Sequence, residues 1–317
     1  MNLMRVFIPG LLAILFYSVF NIEAAPRERW LQKSGYGLMF HYEAFKNHTP
    51  QSYNKTIDSF DVDGFVRSVE STKAGHIIFV IGQHWGRYCA PNSKYEKLLG
   101  VENGVWTSKR DLIQEIAEGL TKRDIKLIIY MTARAPMRHY EVIKAMGDTL
   151  PTINGKPAGP KVNPMSHPRK VKGFRRSENQ APNPLFLKNW GEVCGEWSKR
   201  YGKLVSGWWF DGGWFGHLSY DDAPNWDSFL AAARTGNRHS AIAINHQYSH
   251  LRGLPPPRAD YFAGETGDAL GVIVTSPFRD KCVQNQVLTF LGDTWGKGEN
   301  PRYNRRQISQ VSDNVVQ

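Results

Sequence analysis

Short apolar runs alternate with amphipathic stretches along almost the whole chain. Seven runs are bounded by turn residues: Tyr36 to His41, His76 to Gly82, Ile125 to Thr132, Val205 to Asp211, Ser240 to His246, Ala259 to Glu265 and Val287 to Gly292. Their length and continuous apolarity predict buried parallel strands. The stretches between them read as helices. Asp61 to Ala74 opens on a capping acid and sets Phe65, Val66 and Val69 on one face. Ser108 to Asp124 places Leu112, Ile113, Ile116 and Leu120 at helical spacing, and Pro184 to Tyr201 and Ala223 to Thr235 follow the same logic.

Strand–helix repetition with buried strands admits a doubly wound sheet or a (β/α)8 barrel. The polar residues separate the two. The runs end on or near His41, His84, Asp211, His246 and Glu265, and in a barrel such C-terminal strand ends converge on one mouth. No G-x-G-x-x-G opens the first helix, which disfavours a dinucleotide fold. The expected fold is therefore a TIM-like (β/α)8 barrel. With seven strands counted and Asn304 to Val316 reading as a last helix, either the barrel is truncated before its eighth strand or one strand escapes the pattern. Truncation is the favoured reading. Ala133 to Ala181 breaks the rhythm: it is long, rich in Pro, Gly, Lys and Arg, without a clear strand, and after the third strand it would overhang the mouth.

The first residues change the picture of where the chain works. Met1 to Arg5 carries one positive charge, Val6 to Phe20 is apolar, and Asn21 to Ala25 ends in small residues. This is the layout of a secretory signal cleaved after Ala24, leaving 25–317 as one barrel domain. The expected protein is exported, periplasmic or extracellular (lysosomal or secretory in a eukaryote), with no stable membrane anchor after cleavage. Cys89, Cys194 and Cys282 fit no metal knuckle and read as structural thiols. The sequons at Asn47 and Asn54 matter only in a eukaryotic secretory route.

The formal net charge is +11, with the excess concentrated in Pro160 to Arg176 and Arg302 to Arg306. No nucleic-acid-binding signature accompanies it, so nucleic acid is excluded as a partner. An anionic polysaccharide, sulfated or rich in uronic acid, suits that charge better, beside the plain alternative of a soluble basic surface. No H-E-x-x-H or His-x-His pattern occurs, so no metal and no cofactor are expected.

Candidate chemistry concentrates in Val205 to Trp214, VSGWWFDGGW. An aromatic strand delivers one acid, Asp211, to a glycine turn. Sugar rings offer apolar C–H faces to indoles, and their reacting carbon needs carboxylates; a buried strand whose Asp caps a turn is the structural alternative.

On these motifs the chain resembles the α-L-fucosidases of glycoside hydrolase family 29, from about Trp30 onward. GLMFHYEAF at Gly37 to Phe45 is similar to the family's first-strand segment, which ends in His-Trp; here Tyr42 stands for the Trp. GQHWGRY at Gly82 to Tyr88 loosely matches a Lys-His-His-Asp-Gly-Phe segment, with Gln83 in place of the first His and Trp85 in place of the Asp. SKRDLIQEI at Ser108 resembles an Arg-Asp-Leu helix start, and WWFDGGW at Trp208 resembles the strand bearing the nucleophile. YFAGET at Tyr261 falls where the family often places its acid/base. The resemblance implies a retaining, exo-acting glycosidase on a barrel, removing terminal fucose by double displacement. The family's usual following β-sandwich has no counterpart in the sequence.

The resemblance implies Asp211 as nucleophile and Glu265 as acid/base, with Asp222, Asp260 and Asp268 as rivals for the second role. His41 and His84 become hydroxyl donors to the sugar. Gln83, Trp85, Tyr130, Trp209 and Trp214 complete the candidate binding set, Trp209 and Trp214 as stacking walls. The expected substrate is a fucosylated oligosaccharide or polysaccharide. Two rival readings stay open: a non-catalytic carbohydrate-binding relative, and a glycosidase for another sugar, galactose-like or sulfated.

Overall fold

Side-chain alternation along the strands decides what each face of the sheet buries. In a computed structural model, residues 29–42, 49–134, 138–164, 171–177, 180, 183–212, 223–245, 259–266 and 286–289 are described. In chain order the elements are α1 (Arg29–Lys33), β1 (Gly37–Phe40), α2 (Pro50–Asp58), α3 (Val62–Ser71), β2 (His76–Val80), α4 (Ser93–Leu99), α5 (Leu112–Thr121) and β3 (Lys126–Thr132). Then come α6 (Tyr140–Ala145), β4 (Thr152–Ile153), β5 (Lys156–Pro157), β6 (Phe174–Arg175), α7 (Pro184–Tyr201), β7 (Gly207–Asp211), α8 (Ala223–Ala233), β8 (Ala241–Ile244) and β9 (Tyr261–Phe262).

The main sheet has six strands in the order β1-β2-β3-β7-β8-β9, and every pairing is parallel. Each strand lies beside the previous one of the sheet, with no reversal of direction across it. A doubly wound sheet reverses its order at a switch point; strictly sequential winding is that of a barrel. A parallel bridge from Glu265 to Leu288 extends the arc by the start of the seventh predicted run. Among the described residues the arc does not close, and the expectation about an eighth strand concerns residues outside them.

Two buried clusters confirm the winding. Ile78, Val80, Ile128, Tyr130, Trp209, Ala241, Ala243, Tyr261, Ala263 and Leu288 pack together on the inner face. Their neighbours Ile77, Phe79, Leu127, Ile129, Trp208, Phe210, Ile242 and Ile244 pack outward with Ile113, Ile116, Trp190, Val193 and Trp197 of the helices. The inward set repeats every second residue, as a pleat demands. Helices start at strong caps: Asp61 accepts from Gly64 N at 2.9 Å, and Asp111 from Gln114 N at 3.0 Å. The predicted helix over Ser108 to Asp124 therefore begins at Leu112, after its cap.

The excursion after β3 corrects the expectation of a strandless loop. It holds α6 and a three-stranded antiparallel sheet, β5-β4-β6. Asn154 and Gly155, both at positive φ (50° and 79°), form the two-residue turn between β4 and β5, the Asn-Gly hairpin signal. Strands of two residues are too short to display alternation. Arg134 ties this excursion to the end of β3. It is 1% exposed, donates to both Asp148 oxygens at 2.8 Å, and gives a third N–H to Gln180 O at 2.6 Å. The sequon at Asn54 lies within α2, where its amide donates to Pro50 O and Gly104 O.

Candidate active site

The inward positions at the C-terminal strand ends are the next steps of the same alternation. After Trp209 comes Asp211, after Ala243 comes Asn245, and after Ala263 comes Glu265. The three meet. Asn245 Nδ2 donates to Asp211 Oδ1 at 2.8 Å and also to Glu265 Oε2. A primary amide has two N–H groups, so each carboxylate receives one. An N–H···O bond spans about 3 Å, so a shared nitrogen holds the two facing oxygens no more than about 6 Å apart. Asn245 is 2% exposed, and its backbone N–H donates to Phe210 O at 2.7 Å, which fixes the amide from below.

Asp211 is held on its other oxygen as well. Tyr130 Oη donates to Oδ2 at 2.5 Å. Gln83 Nε2 in turn donates to Tyr130 Oη and lies 2.7 Å from His41 Nε2. A chain of donors thus runs from amide to phenol to carboxylate, with the His41 Nε2 as an acceptor of the same amide. Tyr130 is stacked on Trp209 at 5.2 Å and 18°, and His41 meets it edge-on at 5.3 Å. Burial above all, then the Asp211 charge, pushes the Tyr130 pKa far up, so the phenol remains a donor.

Glu265 is half-buried and its pKa is raised. Burial is the main cause, Asn245 pulls the other way by hydrogen bonding, and the negative Asp211 pushes up again. Gly264 lets this carboxylate approach its neighbour strand. Its φ is +71°, and a Cβ there would lie 1.7 Å from Gln286 O. Gly212, directly after Asp211, has φ +87°, a backbone conformation that favours glycine.

The other sequence-derived positions divide. His84 and Trp85 lie half-buried in the turn after Gln83, where Gly86 N bonds Gln83 O at 2.9 Å. His84 N donates to Gln83 Oε1 at 3.3 Å. Trp209 is not a free stacking wall: it is 1% exposed and lies under Tyr130, because its position points into the packed barrel interior. Trp214 and His246 lie outside the described residues. Tyr42 turns to the helix side, against Phe60 and Phe79 at 5.2 and 5.9 Å, and burial raises its pKa to about 12. Asp260 is occupied elsewhere, bonded to Arg234 at 2.6 Å and to Ile242 N at 2.8 Å; Asp222 and Asp268 lie outside the described residues. Asn245 is the residue of this candidate site that the sequence reading missed. Cys89 and Cys194 are buried free thiols. Among the described residues no group of acidic, His or Cys side chains could hold a metal, and no helix is long and apolar enough to cross a membrane.

No curated protein matches the chain. Among solved structures it is similar to an endo-fucoidan hydrolase of glycoside hydrolase family 107, at 16% identity and a TM-score of 0.64, over 92% of this chain and 48% of that one. The chain thus spans about half the length of that relative. It is also similar to an α-L-fucosidase from Lactobacillus casei, solved in complex with α-L-fucose product, at 13% identity and a TM-score of 0.51, over 91% of this chain and 87% of that one. An α-L-fucosidase from Vibrio sp. strain EJY3 matches at 12% identity and a TM-score of 0.50, over 88% of this chain and 47% of that one. At these identities the likeness carries the fold. The family model for α-L-fucosidase matches residues 17–268, most of the length and every strand of the sheet, and the chain belongs to the α-L-fucosidase family.

Proposed function

We propose that the chain is an exported, exo-acting, retaining glycoside hydrolase that removes terminal α-L-fucose from a fucosylated oligosaccharide or polysaccharide. The observation that carries this reading is the Asn245 amide shared by Asp211 and Glu265. Retaining hydrolysis needs carboxylates about 5–5.5 Å apart, whereas inversion needs about 6.5–9.5 Å to admit a water. A single bridging nitrogen suits the shorter spacing. Membership of the α-L-fucosidase family supports fucose as the sugar, and the apolar run Val6 to Phe20 supports export.

The chemistry follows from the unequal surroundings of the two acids. Glu265, with its raised pKa, holds a proton for the leaving oxygen. Asp211 attacks the anomeric carbon and forms a glycosyl ester. Its charge disappears in that step, and the donors Tyr130 and Asn245 are then poised for its return when water, deprotonated by Glu265, breaks the ester. Exchange of Asp211→Asn should abolish turnover of an aryl α-L-fucoside while leaving the fold intact; full activity would sink the assignment. Glu265→Ala should lose activity that added azide restores. Release of free fucose without shorter oligosaccharides checks the exo mode.

A further inference from the structure

The turn that brings Gln83 into the site also carries a group of side chains that the carboxylate pair does not use. Trp85 lies two residues beyond Gln83, no more than about 7 Å along the chain. The Arg138 guanidinium sits 4.2 Å from its ring centroid. Arg138 follows β3, the strand that supplies Tyr130. Platform and cation therefore rise from the same rim as the carboxylates. Beside them, His139 packs edge-on against Trp106 at 5.0 Å, and Arg87 lies over that indole at 4.9 Å.

This cluster stands on fixed backbone. Trp106 belongs to a loop gathered around the buried Glu96. That carboxylate accepts from the backbone N–H groups of Gly104, Val105, Trp106 and Thr107 at 2.9–3.0 Å. The Glu96 carboxylate is taken up by those backbone N–H groups, and the side-chain charge of the cluster is that of Arg87 and Arg138. Arg87 gives one N–H to Val105 O at 2.6 Å. Neither Arg87 nor Arg138 meets a carboxylate among the described residues, and Arg138 Nε is buried there without a hydrogen-bond partner. Burial, then the fields of Arg87 and Arg138, hold the His139 pKa below the usual histidine range. Among the described residues no acid offsets those fields at His139.

A guanidinium stacked on an indole commits its flat face and leaves its N–H edge in plane for an oxyanion. We propose that Arg138 on Trp85, with Arg87 and His139 beside them, forms a subsite for an anionic oxygen group on the sugar unit adjoining the cleaved bond. The group is a sulfate ester or a carboxylate; both present the oxygens that a guanidinium edge recognises. The subsite rests on the glycosidase reading above and narrows its substrate to a charged glycan. The net charge of +11 favours the approach of such a chain.

The test measures binding by titration calorimetry, at two salt concentrations, with a sulfated fucan oligosaccharide, its desulfated counterpart and an oligogalacturonate. The wild type should prefer a charged oligosaccharide to the desulfated one by at least about tenfold, the worth of one charge-assisted contact. Preference for the sulfated ligand names the sulfate ester as the group, and preference for oligogalacturonate names the carboxylate. Arg138→Gln should bring the ratio toward one, and Arg138→Glu should invert it. Trp85→Leu removes the platform without touching a charge and should also lower the ratio, which keeps the test decisive if an Arg138 variant fails to fold. Equal affinities in the wild type, or an unchanged ratio in folded variants, overturn the subsite. Turnover of an aryl α-L-fucoside without charge discrimination removes the subsite alone. Charge discrimination without turnover of any fucoside removes the glycosidase reading alone.

Discussion

Replacing Asn245 by Ala tests the shared amide directly. The exchange removes one hydrogen bond to Asp211, at 2.8 Å, and one to Glu265, and leaves the backbone bond to Phe210 O in place. A hydrogen bond to a charged group is worth about 1.5–3 kcal/mol, which converts to roughly 10- to 150-fold in a rate or equilibrium constant. The loss should fall on the second chemical step. In the proposed mechanism Glu265 must be ionised there to take a proton from water, and Asn245 favours the ionised form. Without that donor, burial and the negative Asp211 act unopposed, and the Glu265 pKa climbs further. Two signatures follow in a stopped-flow assay with an activated aryl α-L-fucoside. Turnover drops at least about tenfold behind a burst of released phenol, since the glycosyl ester accumulates. The alkaline limb of the kcat/KM profile, which reports Glu265 as acid in the free enzyme, moves to higher pH. An enzyme within twofold of wild type, with no burst and an unmoved limb, would refute the shared-donor role.

Two further predictions concern stability. His76, buried at the N-terminal end of β2 and 2.8 Å from Ser34 Oγ, has its pKa lowered to about 4 by burial. The unfolded chain then binds the extra proton between about pH 6.5 and 4, so stability is lost as pH falls through that window. At pH 4.5 the deficit is about 2.5 kcal/mol. Denaturation midpoints of wild type and His76→Asn at pH 7 and 4.5 should diverge by that amount, and parallel slopes would contradict it. Arg134→Met should strand the Asp148 carboxylate, whose side chain is 5% exposed, and cost about 3–5 kcal/mol in urea unfolding. The double exchange with Asp148→Leu should recover most of that loss; a single-mutant cost below 1 kcal/mol would show the pair to be dispensable.

The barrel was legible because its strands are apolar on both faces and its helices on one. The predicted Pro184 to Tyr201 helix agrees with α7, and the β3 run differs by a single residue at its start. The site was legible less evenly. Asp211 and Glu265, the candidate carboxylates, stand out in the sequence as acids closing their runs. Asn245 was missed because the fifth predicted run was drawn through to His246, although the inward set of β8 runs Ala241, Ala243 and then Asn245. Counting by twos from the buried alanines would have selected it. Trp209 failed as a wall for the same reason, since its inward side chain lies a full pleat below Asp211. Neither α2 nor α4 was anticipated, though Thr49 before Pro50 and Asn92 before Ser93 are capping signals. Their short lengths left too few turns for periodicity to emerge.

The alternation also sets which sequence changes this protein can survive. Each carboxylate of the candidate site is addressed by an even step from buried residues on its own strand. Deleting or inserting one residue within β7 or β8 would rotate Asp211 or Asn245 to the helix side, with the core residues below slipping too. Beyond the strand tips no such count applies. The excursion after β3 is anchored near its two ends by Arg134 and the Asn183 cap. Length variation among related chains is therefore expected to collect in the segments past Arg134 and past Gly212, with residue spacing inside the strands held fixed.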